Sequence, residues 1–131
     1  LRLRRAAPEV PRYESEFWVP RGYGFERVLV SQIDWIQAER DYVRLHTAAG
    51  SHMVRETMTS LEARLDPQQL IRVHRSAFVR VDRIDSIRRG PGYGRLSLLL
   101  ETGAEVPVGR NYARQIRQLI NPALAEPAGS G

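Results

Sequence analysis

From Arg95 to Val108 the chain alternates apolar and polar residues on both sides of a short polar break. Leu96, Leu98 and Leu100 fall on one face, Thr102-Gly103 makes the turn, and Ala104, Val106 and Val108 fall on the matching face. Successive side chains of a strand point to opposite sides, so this period-two pattern reads as a hairpin rather than a helix. Pro107 has no N–H to give a ladder, which places its strand at an edge or a bulge.

The same alternation recurs upstream. Ile71-Arg72-Val73-His74, Phe78-Val79-Arg80-Val81 and Ile84 to Arg88 read as half-buried strands. Phe17-Trp18-Val19, Arg27 to Val30, Ile33 to Ala38, Tyr42 to Thr47 and His52 to Arg55 are apolar or β-branched runs between turn signals. Glu39-Arg40-Asp41 is a short charged break of hairpin or bulge type, and Ala48 to Ser51 is a turn. Trp35, Ile36, Leu45, Phe78 and Leu98 are the expected core, and Trp18 is expected to cap a sheet edge. Two short helices are predicted. The first runs about Thr59 to Leu65, with Thr59-x-x-Glu62 as a capping box and Asp66-Pro67 as its stop. The second runs about Asn111 to Ile120, with Tyr112, Ile116, Leu119 and Ile120 on its apolar face.

At 131 residues, 42% of them hydrophobic, the chain is long enough for one domain with a real core. Residues 1–15 carry prolines and charges and read as a linker, and residues 122–131 are rich in Pro, Ala and Gly and read as a flexible tail. The folded unit is placed at 16–121. The chain begins at Leu1 and reads as a piece of something longer. No apolar run approaches the roughly 18–20 residues of a membrane span, and no signal-peptide pattern is present. The absence of cysteine removes disulfides, thiolate metal sites and cysteine nucleophiles, and fits a reducing, cytoplasmic setting.

Catalytic constellations are poorly served. Gly90-Pro91-Gly92-Tyr93-Gly94 lacks the Lys and Ser/Thr of a phosphate loop and lies between strands. His46, His52 and His74 match no metal spacing; His46 and His52 could face each other across a hairpin, with no third ligand in view. Asp82 and Asp85, like Glu39 and Asp41, sit among arginines as ion-pair partners would. The reading is therefore no enzyme, no cofactor and no metal.

Charge points elsewhere. All 20 basic residues are arginine, the net charge is +5, and the isoelectric point is near 10.4. Arginine pairs bidentately with phosphate and with guanine. The arginines cluster at strand ends: Arg40 and Arg44 flank Asp41-Tyr42, Arg72, His74 and Arg75 precede Ser76, and Arg110-Asn111 opens the second helix. Loops at such boundaries can protrude from a rigid sheet, and a helix start offers N–H donors to a phosphate. Arg64, Arg114 and Arg117 lie on helical faces and are expected to be solvated. Composition alone leaves a charged solvated surface, or an acidic protein partner, as open as nucleic acid.

Four blocks in order carry a family resemblance. Ile33 to Thr47 (IDWIQAERDYVRLHT), Val54 to Met58 with Leu61 to Pro67, Ile71 to Val79 (IRVHRSAFV) and Val106 to Tyr112 (VPVGRNY) are similar to the successive motifs of the LytTR DNA-binding domain. The resemblance implies a mainly β fold of elongated antiparallel sheets with short packing helices, and loop-mediated DNA binding. It implies loops inserted into successive major grooves of paired direct repeats, two copies on one duplex, and the output role in a bacterial two-component response regulator. The receiver or sensory region is then missing from this chain, and the domain itself makes no membrane contact. It makes Arg40, Asp41, Tyr42 and Arg44 the first DNA loop, His74, Arg75 and Ser76 the second, and Arg110 and Asn111 the third. Arg75 and Arg110 take base-contacting positions. Arg40 and Asp41 stand where the family often has Gly and Asn. Asp41 opposes phosphate unless it accepts from a cytosine amine or pairs with an arginine. A dimerisation or protein-interaction module of the same fold is the alternative.

Overall fold

The computed structural model describes residues 12–90 and 95–120. Among these residues ten strands are arranged as a two-stranded ribbon, a five-stranded central sheet and a three-stranded sheet, all antiparallel. The ribbon is β1 (Glu16–Arg21) and β2 (Gly24–Leu29). The central sheet contains β3 (Ile33–Glu39), β4 (Tyr42–Thr47), β5 (Gly50–Val54), β6 (Leu70–His74) and β7 (Ala77–Arg80), in the order β5-β4-β3-β7-β6. The third sheet has β9 (Leu96–Leu100) between β8 (Ile84–Arg89) and β10 (Glu105–Pro107). The expected hairpin is there, with Val106 opposite Leu98 and Pro107 on an edge strand.

Alternation gives the central sheet two usable faces. Ile36, Val43, Leu45 and Phe78 lie on one, buried with Phe17, Val19 and Val28 of the ribbon and with Met58 and Leu61 of a helix, α1 (Met58–Arg64). Val73, Ala77 and Val79 belong to the other, buried with Leu96, Leu98, Leu100, Val106 and Ile116. Ile116 comes from the second helix, α2 (Ala113–Ile120). Fully burying a side chain such as Phe78 or Ile36 is worth about 1.5–3 kcal/mol, so β3 and β7 hold the layers together. Trp35, expected in the core, is half-buried and stacks on His46, ring centroids 4.2 Å apart and 5° from parallel. Trp18 is exposed, its Nε1 donating to Glu16 at 3.0 Å.

Several local expectations are corrected. The cap of α1 is Thr57, whose hydroxyl accepts from the Ser60 N–H at 3.1 Å; Thr59 lies inside the first turn, and Glu62 pairs with Arg72 instead of reaching back. Thr57 competes better because its extended backbone leaves buried Met58 as the first helical residue. The second helix starts late: Arg110–Tyr112 is a 3-10 turn, and the Tyr112 N–H is spent on the Gly109 carbonyl at 2.9 Å. His46 and His52 do not face each other. His46 lies opposite Ser51 and His52 opposite Leu45, so the two rings take opposite sides of the sheet. Glu14 N donates to the Arg64 carbonyl and Val30 N to that of Ser15, which brings the edge of the fold inside the 1–15 stretch read as linker. Most of that stretch, the 122–131 tail and Pro91 to Gly94 lie outside the described residues. No helix among the described residues is long and apolar enough to cross a membrane.

Candidate nucleic-acid interface

Two hairpin turns and one connection meet at one end of the central sheet. Glu39 pairs with Tyr42, so the β3–β4 turn is the two residues Arg40-Asp41. His74 pairs with Ala77, so the β6–β7 turn is Arg75-Ser76. The third segment, Gly109 to Asn111, links β10 to α2.

Backbone hydrogen bonds fasten these segments into a row. Ala38 N donates to the Ser76 carbonyl at 2.8 Å, tying the first turn to the second. Gly109 N donates to the Val73 carbonyl at 2.7 Å, tying the second to the third. Val73 sits at a register shift in edge strand β6, where a bulge re-aims the chain. Gly109 packs closely here: a Cβ would press on the Tyr112 ring, Cδ2 at 3.1 Å, and sit in ordinary contact with His74 Cα at 3.5 Å. Arg40 holds a φ of 60°, a conformation that costs a side-chain-bearing residue on the order of 1 kcal/mol.

The site residues differ in how they are held. Arg40, Asp41, Tyr42, Arg75, Arg110 and Asn111 are exposed. Among the described residues, Arg40, Asp41, Arg75 and Arg110 make no ion pair, whereas Arg21, Arg27, Arg44, Arg64, Arg72 and Arg83 do. Asp41 thus finds no arginine partner there. Arg55 lies over the Tyr42 ring at 5.8 Å. Arg44 is committed within the fold: Nε and Nη2 donate to both Glu39 oxygens at 2.7 and 3.1 Å, and Nη1 donates to Ser51 Oγ at 3.0 Å. This hydrogen bonding holds the Glu39 carboxyl below its ordinary range and raises the Arg44 guanidinium. Next to it, burial and then the charge of Arg44 push the His46 imidazole down.

His74 and Ser76 work as a pair. Ser76 N donates to His74 Nδ1 at 3.2 Å, and Ser76 Oγ lies 2.9 Å from the same nitrogen. With Nδ1 accepting, the neutral ring carries its proton on Nε2.

Sequence reasoning missed what braces the second turn. Arg72 donates from Nη2 to the Arg75 carbonyl at 2.7 Å, pairs with Glu62 at 2.8 Å and lies about 6.0 Å over the Phe78 ring. Its alternation with Ile71 and Val73 marked it as a strand residue, and only the bulge turns it toward the turn carbonyls. Arg64 was expected in solvent; it bridges Glu56 and Glu14 at 2.7 and 3.2 Å. Sequence reasoning gave Arg95 no role beyond the start of a hairpin. It lines a concavity of about 760 Å³ with His74, Arg75 and Arg110.

A sequence model of the LytTr DNA-binding domain matches residues 23–121. The chain is 34% identical over 117 residues to the CO-responsive transcriptional regulator RcoM of Rhodospirillum rubrum, covering 88% of this chain and 49% of that protein. It is 32% identical over 97 residues to the sensory transduction protein LytT of Bacillus subtilis, covering 72% of this chain and 39% of that protein. The chain thus spans about half or less of the length of these relatives. In three dimensions it resembles the LytTr DNA-binding domain of a putative methyl-accepting/DNA response regulator from Bacillus cereus, with a TM-score of 0.72, 23% identity, and coverage of 82% of this chain and 98% of that one. That likeness concerns the fold.

Proposed function

Because this chain belongs to the LytTR DNA-binding domain family, we propose that it is the sequence-specific duplex-binding output unit of a bacterial transcription regulator, with no catalysis and no cofactor of its own. One observation supports this most: three turns, fastened side by side, present Arg40, Arg75 and Arg110 without a carboxylate partner among the described residues. In this reading Arg75 and Arg110 enter successive major grooves and read guanine edges bidentately. Asp41 accepts from a cytosine amine. Arg40, Tyr42, His74, Ser76 and Asn111 fix the register on sugar and phosphate. Arg44 joins them only by leaving Glu39. Two copies occupy paired direct repeats as a dimer on DNA. The binding unit is residues 16–121, fastened at its start by Glu14 and Ser15. A receiver or sensory region controls it in the cytoplasm.

The test is fluorescence anisotropy on a pool-selected duplex against a scrambled one, across a salt series. The wild type should prefer the selected duplex by about a thousandfold, with a salt slope near about −5 if about 5–6 phosphates are neutralised. Arg75→Ala and Arg110→Ala should each lose about 1–3 kcal/mol of discrimination. Equal, salt-labile binding of both duplexes by all three proteins would reduce the arginines to an electrostatic surface and favour a protein partner.

A further inference from the structure

We infer that Arg95 completes a phosphate seat in the notch between the second and third turns, gripping the duplex backbone from the three-stranded sheet; this rests on the DNA-binding reading above. The notch, about 760 Å³, is lined by His74, Arg75, Arg95 and Arg110, with Leu96 and Val108 among its walls. None of its lining residues is acidic, and none of its three arginines makes an ion pair among the described residues. Gathering like charges without a counter-ion is unfavourable. The arrangement is compensated when an anion enters, and a concave wall of one sign concentrates that anion.

The root of Arg95 is fixed although its side chain is exposed. Its carbonyl accepts from Gly90 N at 2.8 Å, and the next residue's carbonyl, Leu96, accepts from Val108 N at 2.9 Å. Bonds from the segments on both sides of β9 therefore hold the residue in the lining of the notch. His74 adds a ring donor, because its Nδ1 accepts from Ser76 N and leaves Nε2 to carry a proton.

Phosphate suits this donor set better than a base edge. A phosphodiester offers two anionic oxygens that accept from several donors at once. A guanine edge is satisfied by one bidentate guanidinium, and Arg75 and Arg110 already stand on the protruding segments for that role. Arg95 leads into the three-stranded sheet, away from the sheet that carries the two hairpin turns, so it widens the footprint rather than adding a base contact. It should set affinity and orientation and leave base choice alone.

The experiment compares wild type, Arg95→Ala and Arg27→Ala on the pool-selected duplex and its scrambled counterpart. Arg27 lies on the β1–β2 ribbon, paired with Glu16 at 3.6 Å, so its removal deletes the same charge away from the notch. Arg95→Ala should weaken binding to both duplexes about tenfold, lower the magnitude of the salt slope by about 1, and keep the selected-to-scrambled ratio. Arg27→Ala should change each quantity less than about twofold. A scan of single neutral methylphosphonates along the selected duplex then identifies the partner. One phosphate should matter to wild type and not to Arg95→Ala, as coupled groups require. Arg95→Ala behaving as Arg27→Ala while wild type keeps its preference overturns the seat alone. Loss of the selected-to-scrambled ratio in Arg95→Ala also overturns it, by making Arg95 a base reader. A wild type without any preference overturns the DNA reading, and the seat with it.

Discussion

Arg64 on α1 and Arg75 in the β6–β7 turn are the same residue type on one small fold. Arg64 sits between Glu56 and Glu14 and donates also to Ser60. Arg75 is exposed, has no ion pair among the described residues, and has its backbone carbonyl held by Arg72. Other parts of the fold repeat the contrast, while Arg55, Arg88, Arg89, Arg114 and Arg117 also make no ion pair among the described residues. Ribbon arginines Arg21 and Arg27 pair with Glu26 and Glu16, and Arg83 pairs with Asp34. The turn row carries Arg40, Arg75 and Arg110 unpaired, and there the chain spends its backbone hydrogen bonds on the turns themselves. A guanidinium with a fixed carboxylate stabilises the fold or merely decorates it. One without a partner, on a fixed turn, is available to an anion.

The sharpest way to break this division is to remove an arginine that serves only the fold. Arg80 is 7% exposed; its Nε donates to the Ile33 carbonyl at 2.6 Å and its Nη2 to that of Val30. Arg80→Met keeps an unbranched stem and removes a donor from both carbonyls, leaving Val30 with the Ile33 N–H alone. It should cost about 1–3 kcal/mol in urea unfolding, the cost of one buried carbonyl left without its charged donor. Arg75→Ala and Arg110→Ala should stay within about 0.5 kcal/mol of wild type in the same assay. If Arg75→Ala destabilises as much as Arg80→Met, the turn arginines are structural and the division fails.

Arg80 also shows where the sequence runs out. Period-two alternation located the strands because burying one face demands it, and the hairpin from Leu96 to Val108 needed nothing more. The order β5-β4-β3-β7-β6 has no such local signal, since it follows from which faces two separate cores bury. Arg80 therefore read as the polar position of a strand, and only the packing of β7 beside β3 brings it to the Val30 and Ile33 carbonyls. That Arg40, Asp41, Arg75 and Ser76 sit in turns was legible because the loop motifs are contiguous in the chain. The place of Arg95 was not, because its neighbours His74 and Arg110 arrive from other elements. Arg44 lay inside a contiguous motif, yet its capture by Glu39 depends on the β3–β4 register.

Arg44 is the boundary case, and moving it across would sharpen the comparison. Glu39→Gln removes the carboxylate that both its Nε and Nη2 engage. The released guanidinium lies two residues beyond Tyr42 on β4, near the first turn. Binding to selected and scrambled duplexes alike should tighten about threefold, and the salt slope should steepen by about 1. An unchanged slope would mean that Arg44 faces away from the duplex and serves the sheet alone.

The smallest effect concerns the ring beside that pair. His46 stacks on Trp35, its Nε2 lies 3.1 Å from Gln37 Oε1, and Glu39, Arg44 and Asp34 are the charges around it. Burial first, and then Arg44, hold its pKa below the ordinary 6.5. The unfolded ring takes a proton near that ordinary value, and the folded ring takes one only at lower pH. Between the two the unfolded state binds more protons, so stability rises with pH across this window. The neutral ring's contribution is whole above the unfolded value and is lost as pH falls through the folded one. Stability in thermal unfolding should fall from about pH 7.5 to about 5 through this group, and His46→Gln should flatten that part of the profile. The selected-to-scrambled ratio at fixed pH should not move, because His46 contacts the sheet and none of the turns. A His46→Gln protein that lost duplex discrimination would show that the sheet face reaches the DNA, and that the division between fold and interface runs through β4 rather than at its end.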